Sequence, residues 1–334
     1  MKKYVGHPNQ IRGIEEHVLK GGKGDGMHLL QVRNGKGLEF TISVDRCADI
    51  SRLTFCGNNY GFFSACGYVS PAYYDSIGAG FLKSFTAGFF TTCGLTAVGS
   101  PCNDDGEDLP LHGTISNTPA AMTGTYDNDE NIVITATVRD ASIFGRKLVL
   151  NRKYICSCTE NTITVEDTVV NEGDRVSPIM LLYHCNMGYP LLSENAEVVI
   201  PANCLVPRND HAAKHIETHL QMEKPQPNFE ECCYYYDVKE KHGTAKVGIY
   251  NKDINSGLVI AFDKNTLDKF VEWKMMGETD YVLGLEPGNC TPDGRDVLRK
   301  NHTLKFLNPS EIYNTKLTFK FIKDYTTFEE EVKC

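Results

Sequence analysis

The run Thr162-Ile163-Thr164-Val165-Glu166-Asp167-Thr168-Val169 alternates polar and apolar residues without a break. Successive side chains of a strand point to opposite faces, so this pattern describes a strand with one face buried. Lys316-Leu317-Thr318-Phe319-Lys320-Phe321 alternates in the same way near the other end of the chain. Segments 27–32 and 38–44 flank the turn dipeptide Asn34-Gly35 and read as a hairpin. Further β-type runs occupy 131–138, 147–156, 179–184, 197–200, 245–250, 258–262, 270–275, 281–286 and 303–307, with turn residues at 171–174, 255–257 and 292–294. Only 8–19 and 210–222 read as helical. So many short strands with so few helices predict an all-β fold, a large antiparallel β-sandwich. No repeat or low-complexity linker interrupts it, so residues 1–334 are expected to form one domain.

Charge and cysteine usage narrow the function. The net charge is −9 and no Lys/Arg run exceeds two residues. Phosphate and anionic-lipid surfaces are bound by clustered cations, so neither a nucleic-acid nor a membrane partner is expected. Met1-Lys2-Lys3 has the charge of a signal peptide without the apolar stretch that would follow, and no window is apolar enough to span a bilayer. A cytoplasmic location is expected. In that compartment the thirteen cysteines read as reduced, mostly buried thiols. Cys156-Ser157-Cys158 and Cys232-Cys233 lack the spacing of structural zinc pairs. Gly21-Gly22-Lys23-Gly24-Asp25-Gly26 matches neither the P-loop nor the dinucleotide fingerprint and reads as a flexible hairpin approach. His211, His215 and His219 are spaced by four and would share one helix face, with Glu217 pointing elsewhere; a solvated histidine face is expected. No metal and no cofactor is called for.

Three segments carry polar groups that strands and turns do not require. In Leu111-His112-Gly113 a histidine sits beside a glycine that lets backbone or ligand approach closely. In Tyr183-His184-Cys185-Asn186 a His and an Asn two residues apart share one face of an apolar strand. In Leu283-Gly284-Leu285-Glu286-Pro287 a carboxylate closes an apolar strand, a placement that needs a hydrogen-bond partner or a ligand. Each, taken alone, is also compatible with a structural role.

These stretches, with Val44-Asp45-Arg46-Cys47-Ala48-Asp49-Ile50, Thr92-Cys93-Gly94-Leu95, Gly188-Tyr189-Pro190 and Trp273-Lys274-Met275-Met276-Gly277-Glu278, appear in an order and at separations that resemble the aldose 1-epimerase (galactose mutarotase-like) superfamily. The likeness spans about residues 40 to 320. It implies a twisted β-sandwich with a sugar pocket on the concave face of one sheet. It implies that His112 lies in that pocket, that His184 is the general acid on the ring oxygen, and that Glu286 takes the proton of the anomeric hydroxyl. The pattern departs from well-studied mutarotases after the second histidine, where Cys185-Asn186-Met187-Gly188 replaces Pro-Tyr-Phe-Asn. For the pocket arginine of those enzymes, Lys83 and Arg46 are both candidates, and no residue matches their pocket aspartate. Asn186 and Trp273 are expected to contact sugar, and Arg295 to reach Glu286 or an anionic group of the substrate.

The function so implied is an isomerase that opens and recloses a sugar hemiacetal, with a small-molecule sugar as partner and a homodimer left open. Two alternatives stay in view: a sugar-binding or sensor protein without catalysis, and a lyase or hydrolase on the same fold. A hydrolase would need a second carboxylate, for which Glu272 and Glu278 are the weak choices.

Overall fold

The computed structural model describes residues 3–128 and 130–333. Six strands carry the site: β1 (Phe90–Leu95), β2 (Met180–Met187), β3 (Ala202–Pro207), β4 (Cys232–Val238), β5 (Lys269–Met276) and β6 (Tyr281–Gly288). They form one antiparallel sheet in the order β3-β4-β5-β6-β2-β1. A larger antiparallel sheet runs, in spatial order, through Ala121–Asp127, Asn131–Ala141, Lys147–Ser157, Thr162–Asn171, Ile312–Ile322, Ser256–Asp263, Thr244–Asn251 and Ala196–Val199. Both alternating runs of the sequence lie side by side in it, Val165 opposite Leu317.

The two sheets face each other across an apolar core. Phe90 stacks on Phe319 at 6.2 Å, and the Tyr183 hydroxyl bonds Asp167 and Thr315 of the facing sheet. Within the core Arg152 is fully buried and donates to Asp49 and Asp167, each at 2.6 Å. A third sheet, from Gly13–Val18 to Asn58–Asn59, extends the core through Phe55 against Phe321. The chain is thus an all-β antiparallel sandwich. Among the described residues no helix is long and apolar enough to cross a membrane.

Strand alternation decides what each side of the site sheet carries. Tyr183, Cys185, Leu283, Leu285, Phe270 and Tyr236 face the sandwich core. Met180, Leu182, Val271 and Cys93 face outward and form a second, smaller apolar cluster with Val98, Leu298 and Cys290. His184 and Glu286 lie on that outward face.

Two helical expectations are corrected. Segment 8–19 holds only a 3-10 turn at Pro8–Gln10, and Gly13–Val18 is an edge strand paired residue for residue with His28–Arg33. The neighbouring strand offers that backbone a ladder, and tertiary pairing overrides a weak local preference. In 210–222 the α-helix stops after Asp210–Lys214, capped by Asn209, and Ile216–Thr218 is a separate 3-10 turn. The histidines therefore do not share one face: His211 and His215 are neighbours at 5.0 Å, while His219 packs 5.3 Å from the ring of Tyr234.

Candidate active site

The register that pairs Cys185 with Leu285 sets His184 opposite Glu286 across the middle of the sheet. The His184 Nε2 and Glu286 Oε1 atoms are 3.2 Å apart, and both side chains are almost wholly buried. The approach is a close contact rather than an aligned hydrogen bond, since Glu286 Oε1 and His184 Nδ1 have no hydrogen-bond partner. Gly284 makes room for the carboxylate: a Cβ there would lie 2.3 Å from Oε1. Burial disfavours the charged form of both groups. It pushes the Glu286 carboxyl well above the usual carboxylate range, helped by the charge of Glu231, and lowers His184 to about 4.

His112 arrives from a loop. Its backbone is left-handed (φ 59°), and Gly113 beside it approaches β1 so closely that a Cβ would lie 2.3 Å from the Gly94 carbonyl. The Gly94 amide donates to the His112 carbonyl at 3.1 Å and locks the corner onto β1. The His112 ring stands 5.6 Å from that of His184. Burial, then the neighbouring His184 and Arg208, lowers its pKa to about 3, so it is neutral. Its Nδ1 accepts from the Gly99 amide at 3.3 Å, which leaves the ring proton on Nε2. His184 in turn meets Phe85 at 5.3 Å and Trp273 at 5.1 Å, both edge to face.

His112, His184, Glu286 and Trp273 line one cavity of about 200 Å3. Sites for drug-sized ligands run about 300–1,000 Å3, so this one suits a single small ring. Arg208, directly after β3, also lines it and donates to Ser100 Oγ at 3.1 Å. Glu231, just before β4, accepts from Trp273 Nε1 at 2.6 Å. Neither Arg208 nor Glu231 was singled out in the sequence, because a charged residue beside a strand end carries no local signal of what it faces.

Several expected contacts lie elsewhere. Lys83 is exposed and paired with Asp75 at 2.7 Å; in the 3-10 turn Gly80–Lys83 it is Phe81 and Leu82 that turn to the cavity. Arg46 is buried with its guanidinium committed to the carbonyls of Ser116, Val69 and Ser84, outside the cavity. Arg295 does not reach Glu286. It pairs with Asp104 at 2.6 Å and Glu107 at 2.9 Å and ties the loop of those acids to its own helix, Arg295–Lys300. Asn186 shares the strand face of His184 but donates to the His184 carbonyl at 2.8 Å and does not line the cavity. Glu272 points into the sandwich and bonds Tyr236, on the other side of the sheet from Glu286; Glu278 is exposed and does not line the cavity.

A family described as a domain of unknown function, DUF4432, matches residues 24–321. The chain belongs to that family. No curated protein matches it. Among solved structures it is similar to a candidate aldose 1-epimerase from Klebsiella pneumoniae, 26% identical, with 96% of this chain and 86% of that one covered and a TM-score of 0.90. It is also similar to a galactose mutarotase-like protein from Clostridium acetobutylicum (13% identical, 94% and 100% covered, TM-score 0.69). A galactose 1-epimerase from Lactobacillus acidophilus matches at 13% identity with the same coverage and a TM-score of 0.64. This member of DUF4432 therefore has the galactose mutarotase-like fold.

Proposed function

We propose that the protein is an aldose 1-epimerase-type isomerase, working as a single domain in the cytoplasm on the anomers of a free monosaccharide. The observation that carries this reading is the His184–Glu286 pair, 3.2 Å apart at the floor of a cavity sized for one ring. Opening a hemiacetal requires the anomeric hydroxyl to lose a proton while the ring oxygen gains one. The bond between C1 and the ring oxygen breaks, the open-chain aldehyde rotates about C1–C2, and the reverse transfers close the ring on the other face. A neighbouring acid and base suffice, and each returns to its starting state after one cycle.

The pair holds one proton. Burial puts it on Glu286 in the resting protein; transfer to His184 Nε2 gives the imidazolium–carboxylate form in which His184 is the acid and Glu286 the base. Both forms have the same net charge, and the two opposite charges of the second form lie 3.2 Å apart, where their attraction offsets part of the cost of burying them. His112 offers its Nε2 proton to a sugar oxygen, and Trp273 presents an apolar ring to a sugar face.

The test is anomer exchange, followed by polarimetry or NMR saturation transfer on freshly dissolved α-anomers. Wild type is expected to accelerate exchange, and Glu286→Gln or His184→Asn to lose about 10²–10⁴-fold of it. Absence of acceleration with sugar still bound would leave a binding or sensor protein. One observation favours a second reading: Glu231 lines the same cavity as Glu286, so two carboxylates are present, as glycoside hydrolysis requires. Release of nitrophenol from aryl glycosides would distinguish it.

A further inference from the structure

The cavity's polar side chains, apart from the His184–Glu286 pair, gather at three places. His112 offers a donor, Arg208 with its neighbour Ser100 offers donors, and Glu231 offers an acceptor. Much of the remaining wall is apolar: Phe81, Leu82 and Phe85 on the 81–85 segment, with Leu111, Val271 and Pro292. Three such places are as many as the hydroxyls a pyranose carries at C2, C3 and C4 once the reactive pair has taken the anomeric hydroxyl and the ring oxygen.

The charges at the cavity point to a neutral ligand. Arg208 is offset by Glu231 in the lining and by Asp293, 3.9 Å from its Nε. A carboxylate on the sugar would meet Glu231 without a free counter-charge.

We infer that the substrate is a neutral pyranose lacking a hydroxyl at C6, a 6-deoxyhexose or an aldopentose, selected by the apolar wall of Phe81, Leu82 and Phe85 against hexoses and uronic acids. This rests on the anomer-interconverting reading of the same cavity. A C6 hydroxyl directed at that wall gives up water without gaining a protein partner, whereas a methyl group or a hydrogen gives up nothing. Arg208 supplies a donor and Glu231 an acceptor to the ring hydroxyls.

The experiment compares sugars that differ only at C5. In the galacto series these are D-galactose, D-fucose, L-arabinose and D-galacturonate, with the corresponding members of the gluco and manno series. Anomer exchange gives kcat/KM, and ligand-observed NMR gives binding without turnover. In at least one series the 6-deoxy sugar or the pentose is expected to exceed the hexose on the order of ten-fold, with the uronate lowest. If the same order appears in binding but no sugar is turned over, the selection stands and the isomerase reading falls. Equal or better use of hexoses or uronates overturns the selection and leaves the isomerase standing. Absence of both binding and turnover for every sugar overturns the selection as well.

Discussion

Replacing Gly284 by Ala tests whether the position of the Glu286 carboxylate, rather than its presence alone, sets the rate. Gly284 lies in β6, two residues before Glu286 and on the same face. A Cβ there would stand 2.3 Å from Glu286 Oε1, 3.0 Å from Trp273 Cβ and 3.2 Å from Glu286 Cδ. Ordinary contact begins near 3.4 Å, so the carboxylate must withdraw by about 1 Å. A displacement of that size in a proton-transfer group costs on the order of 10²-fold in rate. Stability moves far less, because the overlap costs about 1–3 kcal/mol and the lost freedom of the unfolded chain returns about 0.4–1 kcal/mol. The expected result is a folded protein with a melting temperature within a few degrees of wild type and kcat/KM for anomer exchange lowered about 100-fold. Wild-type exchange in the folded variant would refute the reasoning, since the carboxylate would then not need its present place.

Three other outcomes follow from the same geometry. The acid limb of the kcat/KM profile should lie toward pH 4, where a second proton enters the pair at His184, and a second limb should follow at higher pH, where the raised Glu286 carboxyl gives up the pair's one proton; an acid limb centred near 6.5 would show an unburied histidine instead. Arg152→Leu leaves Asp49 and Asp167 buried without their cation and should cost about 3–5 kcal/mol in urea unfolding, a loss under about 1 kcal/mol contradicting the network. Lys83→Ala should leave the kinetics of exchange unchanged, because Lys83 is exposed and paired with Asp75; a raised KM would return it to the sugar site.

The fold was legible from local pattern wherever one face of a strand is buried. The alternating 162–169 run is the heart of the strand Thr162–Asn171, and the Asn34-Gly35 dipeptide joins His28–Arg33 to Leu38–Ser43 as an antiparallel pair. Pattern does not say what buries the other face of a strand. Along Val271-Glu272-Trp273-Lys274 apolar and charged residues alternate. The structure buries Glu272 against Tyr236, raising its carboxyl to about 8 through loss of solvent, and buries Lys274 beside Glu223.

Among site residues, His112, His184 and Glu286 stood out because a polar group in an apolar strand, or beside a close-packed glycine, needs an explanation that its neighbours do not supply. The cations were not separable in the same way. Arg46, Lys83, Arg208 and Arg295 are alike in local sequence, and only the fold decides which guanidinium or ammonium is committed to backbone carbonyls, which to acids, and which to the cavity. The sequence by itself determined the strand content, the sandwich and the unexplained polarity of His112, His184 and Glu286, because alternation and unexplained polarity are local properties. The tertiary structure decided the pairing of His184 with Glu286 at 3.2 Å, the apolar wall of residues 81–85 and the entry of Arg208 and Glu231, because each depends on loops and strands that meet only when the distant β-ladders are in register.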